Sequence, residues 1–334
     1  MKAHFGCRSW PIRRFGVALT PGLLIAALIG MSNAAPALAQ ARSEAPPAGR
    51  PAPADDQPMD TVTVEAERAK ALVRKQVSAF VSAITVAPFQ DTLKRWRSAL
   101  CPMVAGLPRS QGEFFLEKIS QFAHEAGAPL APERCEANLA IVFTSRPEEL
   151  LRAWSRRNVK LFLGAGARRI TRFIDESRPV RIWYNSTLMA VDGMALGEFQ
   201  DIAGGVPNNP HARASHIAVD EVRTLDAVLI VVDTGRVSGV TYDQLAGYIA
   251  MASLAELHAD APLGDAVTIL GLFATPQRAP ADGLSPWDKA YLRALYHTQQ
   301  GETMQLQDMK SFMVRDLGAA PGPKPAASSV SQPP

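Results

Sequence analysis

The sequence predicts an α+β fold: a mixed β-sheet with packed helices, held between disordered N- and C-terminal tails. Helical apolar periodicity appears both before and after a cluster of short β-prone runs. One of those runs, Ala227–Val232, is apolar throughout, as a strand covered on both faces must be. Apolar residues make up 47% of the 334 residues, enough for a sizeable core and too many for a disordered or fibrous chain. Helices that flank the strands, rather than alternating regularly with them, favour α+β over a doubly wound parallel fold.

The first element is a processing signal. Lys2, Arg8, Arg13 and Arg14 precede a mostly apolar run, Val17–Met31, and Ala37-Leu38-Ala39 supplies the small residues that a signal peptidase accepts before Gln40. Residues 1–39 therefore read as a cleaved signal peptide, and the protein is expected to be periplasmic or secreted. Pro21 interrupts the apolar run, and Gly22–Met31 falls far short of the roughly 20 residues a membrane span needs. No transmembrane span is expected after cleavage. Loss of those four basic residues leaves 31 of the 35 Lys and Arg against 32 acids, so a near-neutral chain is left, and nucleic acid is not an expected partner.

Residues 40–60 are dominated by Ala, Pro, Arg, Asp and Gly, too little apolar content to offset the entropy of ordering, and read as a disordered linker. The segment 318–334 has the same character and reads as a disordered tail. Residues 61–317 are expected to form the α+β globular domain.

Within it, Ala69, Leu72, Val73, Val77, Phe80, Val81 and Ile84 give the spacing of one buried helix face over 66–84. Phe114, Phe115, Ile119, Phe122 and Ala123 repeat the pattern over 111–126, with Gly127 where a helix C-cap belongs. The runs 138–144, 159–163, 180–184 and 227–232 read as strands, the last as a central one. Thr241-Tyr-Asp-Gln244 fits a capping box, followed by an almost wholly apolar helix that ends near His258. Ser285-Pro-Trp-Asp288 opens another helix, whose buried face is Tyr291, Leu292, Leu295 and Tyr296.

Cys101 and Cys135 are the two cysteines left after signal removal, and an even count in an oxidising compartment points to a disulfide. A redox or metal pair would want a C-x-x-C spacing or a neighbouring His, and neither is present. Five histidines remain. His124-Glu125 begins the zinc-peptidase pattern, but Ala128 stands where its second His would be. His211 and His216, with Asp220 as a third ligand, could bind a metal only from a loop, because five residues suit neither a helix face nor a strand face. Ser238 stands one place late for a nucleophile elbow, and Gly164-Ala-Gly166 lacks the third glycine of a phosphate turn. No cofactor is expected.

The charge distribution points further than any motif. Residues 152–181 carry nine basic side chains against Asp175 and Glu176. Arg156, Arg157, Arg168, Arg169 and Arg172 are the candidate anion-binding set, for anionic envelope polymers, lipid head groups or a protein partner. The competing expectation is that these arginines are solvated or pair with the acids of residues 182–334.

Several segments together, Arg95-Trp96, Leu100-Cys-Pro102, Gly106-Leu107, Cys135 with Asn138, YDQLAGYIAMASLAEL and LSPWDKAYLRALYHT, resemble a group of exported proteobacterial proteins of unassigned function. The resemblance implies export and little chemistry. A fainter one is to zincin-like peptidase domains, in which a helix bearing HExxH is followed by an L-T-x-x-D…L-x-x-L-Y helix. Leu284 to Asp288 with Leu292, Leu295 and Tyr296 matches the later helix; the earlier one has Gln244, Ala246, Gly247, Tyr248 and Ala250 where ligands and base could stand. No metal ligand carries over, so the resemblance implies a catalytically silent cleft. The expected function is thus non-catalytic binding of an envelope component or protein partner. The alternative is a hydrolase, zincin-like or otherwise metal-dependent, with a non-standard site at His211, His216 and Asp220.

Overall fold

The computed structural model describes residues 59–86, 93–157, 159–162, 165–190, 193, 221–258, 260–264, 266–274, 281–300 and 304–319. The expected signal peptide, nearly all of the linker and most of the tail lie outside them. Among the described residues the order is α1 (Met59–Ile84), β1 (Arg95–Trp96), β2 (Pro102–Ala105), α2 (Arg109–Ala126), β3 (Leu139–Thr144), α3 (Pro147–Arg157), α4 (Ala167–Asp175), β4 (Val180–Ala190), β5 (Glu221–Asp233), α5 (Tyr242–Leu254), α6 (Pro286–His297) and α7 (Gln305–Ala319). The fold is α+β.

The apolar run read as central is β5, and the whole sheet is organised on it. β3 pairs parallel with Val228–Asp233, β1 pairs parallel with Thr224 and Leu225 on the same side, and β2 lies parallel outside β3. β4 lies antiparallel along the other side of β5, from Val180 opposite Val232 to Ala190 opposite Glu221. Among the described residues no strand pairs with its outer side.

Strand alternation divides the core into two layers. Ile141, Phe143, Val228, Ile230 and Val232 face the larger layer, where α1, α2, α5, α6 and α7 pack. Val142, Leu229, Val231 and Trp183 face the smaller one, covered by α3, α4 and a 3-10 turn at Val159–Phe162.

The helix readings hold on the larger face, except that α5 ends at Leu254 and not near His258. α2 ends at Gly127, whose φ of 83° supplies the left-handed cap. The Thr241/Gln244 capping box forms at α5, and a second one, Ser285 with Asp288, opens α6. α5 buries ten of its 13 residues. Gly247 is required there: a Cβ would stand 2.9 Å from the Leu284 backbone nitrogen, so α5 and the turn before α6 touch backbone to backbone. Among the described side chains of α1 only those of the last turns are buried; Leu72, assigned to its apolar face, is 57% exposed.

Cys101 and Cys135 form a disulfide that holds the start of β2 to the chain entering β3. Asn138 reinforces this corner: its Oδ1 accepts from the Cys101 N–H at 2.7 Å and its Nδ2 donates to the Ala99 carbonyl.

The strand expected over 159–163 is corrected. Its described part, Val159–Phe162, is the 3-10 turn, because Phe162 turns inward onto Phe173 and Trp183, at centroid distances of 6.3 and 4.9 Å. The Leu161 carbonyl accepts from the side chains of Trp183 and Asn185 instead of from a neighbouring strand.

A candidate binding cleft beside the edge strand

β4 places the site. The Asp233 N–H donates to the Pro179 carbonyl at 2.8 Å, which with Val180 opposite Val232 fixes the phase of the ladder. Residues 179, 181 and 183 turn their backbone groups toward β5. Val180, Ile182 and Tyr184 therefore aim their N–H and C=O groups at the outer edge.

The side chains of those same three residues lie on the larger face, where they form one wall of a cleft of about 870 Å³. Tyr248 and Ala252 of α5 and the segments 257–263 and 270–274 complete it. Tyr248 and Phe273 meet edge to face at 4.9 Å, giving the cleft an aromatic floor. The Tyr184 hydroxyl donates to the carbonyls of Ala252 and Ala255, at 2.7 and 3.2 Å, and so pins β4 to the end of α5.

The lip is charged, with two carboxylates on one guanidinium. Arg178 pairs with both Glu176 and Asp260, and exposed His258 stands beside them. Burial pushes the Tyr248 phenol up to about 12 and the Tyr184 phenol well above its ordinary value. Neither is a base at neutral pH. The lining offers apolar and aromatic contact, with carboxylates already committed to a guanidinium.

Beneath β4, on the smaller face, lies the arginine-rich segment. α4 buries Phe173 and Ile174 and leaves Arg168, Arg169 and Arg172 exposed, three and four residues apart. The Arg169 guanidinium lies 4.4 Å over the Trp183 ring and donates to the Tyr184 carbonyl at 3.4 Å, at the outer edge of β4. Arg156 and Arg157 are exposed at the end of α3.

Three others of the basic run are ion-paired. Arg152 pairs with Asp175, Arg178 as above, and Arg181, only 1% exposed, with Glu148. Asp260 is the one partner here drawn from the acids after residue 181. Arg156, Arg157, Arg168 and Arg172 have no ion pair with a described residue.

His211, His216 and Asp220 lie outside the described residues. Among the described residues no three His, Cys, Asp or Glu side chains are grouped to hold a metal ion. His124 is exposed on α2, and its neighbour Glu125 pairs with Lys289. Of the five α5 positions, Gln244 is used by its capping box, Ala246 and Ala250 are buried in the core, Gly247 abuts the turn before α6, and Tyr248 alone lines the cleft.

Sequence reasoning missed Tyr184 and Phe273 as cleft residues, reached Arg178 only as one charge of the basic run, and reached Tyr248 only as a position on the α5 helix. They come from four segments spread between residues 176 and 274, so no spacing connects them; the one legible signal was that Tyr184 ends a β-prone run. No protein-family model, curated protein or solved structure matches the chain, and its own residues carry the functional argument.

Proposed function

We propose that this is an exported, non-catalytic protein that binds an envelope component or a protein partner along the margin of β4. The observation that carries this reading is the cleft itself. It is large enough for a ligand and floored by aromatic rings, its lip carboxylates are committed to Arg178, and its Tyr248 and Tyr184 phenols stay protonated at neutral pH. The signal-peptide pattern and the disulfide are consistent with an oxidising compartment.

A photoreactive side chain at Ala274, on the cleft wall, should cross-link one envelope component in the producing cell. The same group at Ala153, exposed on α3, should not. Equal labelling from both positions, or none from Ala274, contradicts the reading. So does peptide or ester hydrolysis by the purified chain that a plug at Ala274 abolishes.

A further inference from the structure

The two candidate regions meet at one line. Val180, Ile182 and Tyr184 present outward backbone donors and acceptors that no described strand takes. On one side of that line is the cleft, with the aromatic rings of Tyr248 and Phe273 in its lining; on the other is the α4 arginine stripe, joined to it by Arg169 at the Tyr184 carbonyl. A strand laid against β4 would send alternate side chains to these two environments, because strand side chains alternate with period two.

We propose that the outer edge of β4 receives an extended acidic peptide of a partner protein as an added strand, with apolar side chains in the cleft and carboxylates on Arg168, Arg169 and Arg172. This rests on the binding reading above and names its ligand class. Three outward residues spaced two apart span about 14 Å, room for a five-residue segment. Charge selects the occupant. Asp175, the acid on α4, is taken by Arg152, and Arg168 and Arg172 have no ion pair with a described residue. Arg fits carboxylates in a two-pronged geometry.

A second copy of this chain is disfavoured at the same edge. A two-fold axis normal to the sheet would bring the two α4 arginine stripes together on one face, and like charges would oppose the pairing. In the free protein Arg169 guards the edge, since a cation at an exposed strand discourages unspecific pairing. Its single 3.4 Å bond to the Tyr184 carbonyl is readily exchanged for an incoming peptide N–H, which frees Arg169 to meet a carboxylate.

The test uses the full mature chain and a labelled twelve-residue peptide of alternating Glu and Val, read by fluorescence anisotropy. Saturable binding is expected, weakened at least tenfold when Lys replaces Glu in the peptide, or when the same residues are arranged as a Glu block and a Val block. Arg168→Glu with Arg172→Glu should cost at least tenfold and flatten the salt dependence, while circular dichroism shows the fold intact. Two peptides methylated on alternate backbone nitrogens, at every Val or at every Glu, should differ at least tenfold, because only one parity turns its N–H toward β4. Equal binding by those two, or no binding by the alternating peptide, overturns the proposal. If Ala274 still cross-links an envelope component, the general binding reading survives that failure. Displacement of the peptide only by anionic phosphatidylglycerol vesicles, with no difference between the methylated forms, overturns it in favour of a membrane surface.

Discussion

The two faces of the sheet are built on different physical terms. The larger face is a thick apolar layer in which Val77, Ile84, Leu139, Ile141, Ile230 and Ile249 are fully buried under five helices. The smaller face is thin: an aromatic cluster of Phe162, Phe173 and Trp183, two short helices and a buried arginine. Arg181 ties that face together, donating to the Glu176 carbonyl and to the Glu148 carboxylate, and so joins the end of α4, the start of α3 and β4. The larger face holds stability, and the smaller one positions charge. The proposed ligand line runs where they meet.

Adjacent residues of β5 sharpen the contrast most. Ile230 faces the larger layer and Leu229 the smaller, both essentially unexposed. Ile230→Ala should cost about 4–5 kcal/mol, because five helices fix the cavity walls, whereas Leu229→Ala should cost about 2–3 kcal/mol, because α3 and α4 can collapse inward. Urea denaturation of the two variants checks this; equal losses would remove the distinction.

The disulfide comes next. Breaking Cys101–Cys135, across a sequence separation of 34, should cost about 3–4 kcal/mol by the loop-closure argument. Denaturation with and without reductant, and of the double Ala variant, measures it.

Acid should separate the faces by sign. The Arg181 guanidinium holds the Glu148 carboxyl below its ordinary 4.5. That contribution is present above 4.5 and lost as pH falls through the lowered value. Burial pushes the Asp288 carboxyl up, against the bonds it accepts from Thr268, Ile269 and Ser285. Its contribution is complete below the ordinary 3.8 and lost as pH rises through the raised value. Glu148→Gln should therefore weaken the acid-side fall in stability, and Asp288→Asn should remove a slope of opposite sign. At neutral pH Glu148→Gln should cost about 1–2 kcal/mol, less than a wholly buried pair, since Glu148 is 41% exposed. A parallel pH profile for both variants would contradict the assignment.

How much could be read in advance follows the same division. α2, α5 and α6 were legible because apolar periodicity, caps and Gly127 all agree on a face buried against a thick layer. α3 was not, since Leu151 is its one fully buried apolar side chain among charged neighbours. Val159–Phe162 has strand-like composition, yet tertiary packing of Phe162 overrides it. Arg181 and Trp183 alternate with apolar neighbours along 180–184, but that alternation does not say that both faces are buried, as they are here. β1 and β2 have only two and four residues, too short for a periodic signal. The arginine run was visible as charge, but that Arg169 reaches the Tyr184 carbonyl depends on the antiparallel register of β4, which no local pattern encodes.

The smallest stability effect has the largest functional contrast. Arg168→Glu with Arg172→Glu should change unfolding free energy by no more than about 0.5 kcal/mol, as exposed unpaired side chains do, while removing acidic-peptide binding. A large stability loss would show that these arginines are structural surface.

Residue-resolved amide hydrogen exchange along β4 tests the central claim most directly. In the free protein the amides of Val180, Ile182 and Tyr184 should exchange quickly, and those of Arg181 and Trp183, turned toward β5, slowly. Addition of the alternating Glu–Val peptide should slow the first three and leave the α7 amides unchanged. Uniformly slow exchange along β4 without ligand, or no change at Val180, Ile182 and Tyr184 under saturating peptide, would contradict an open edge that receives a strand.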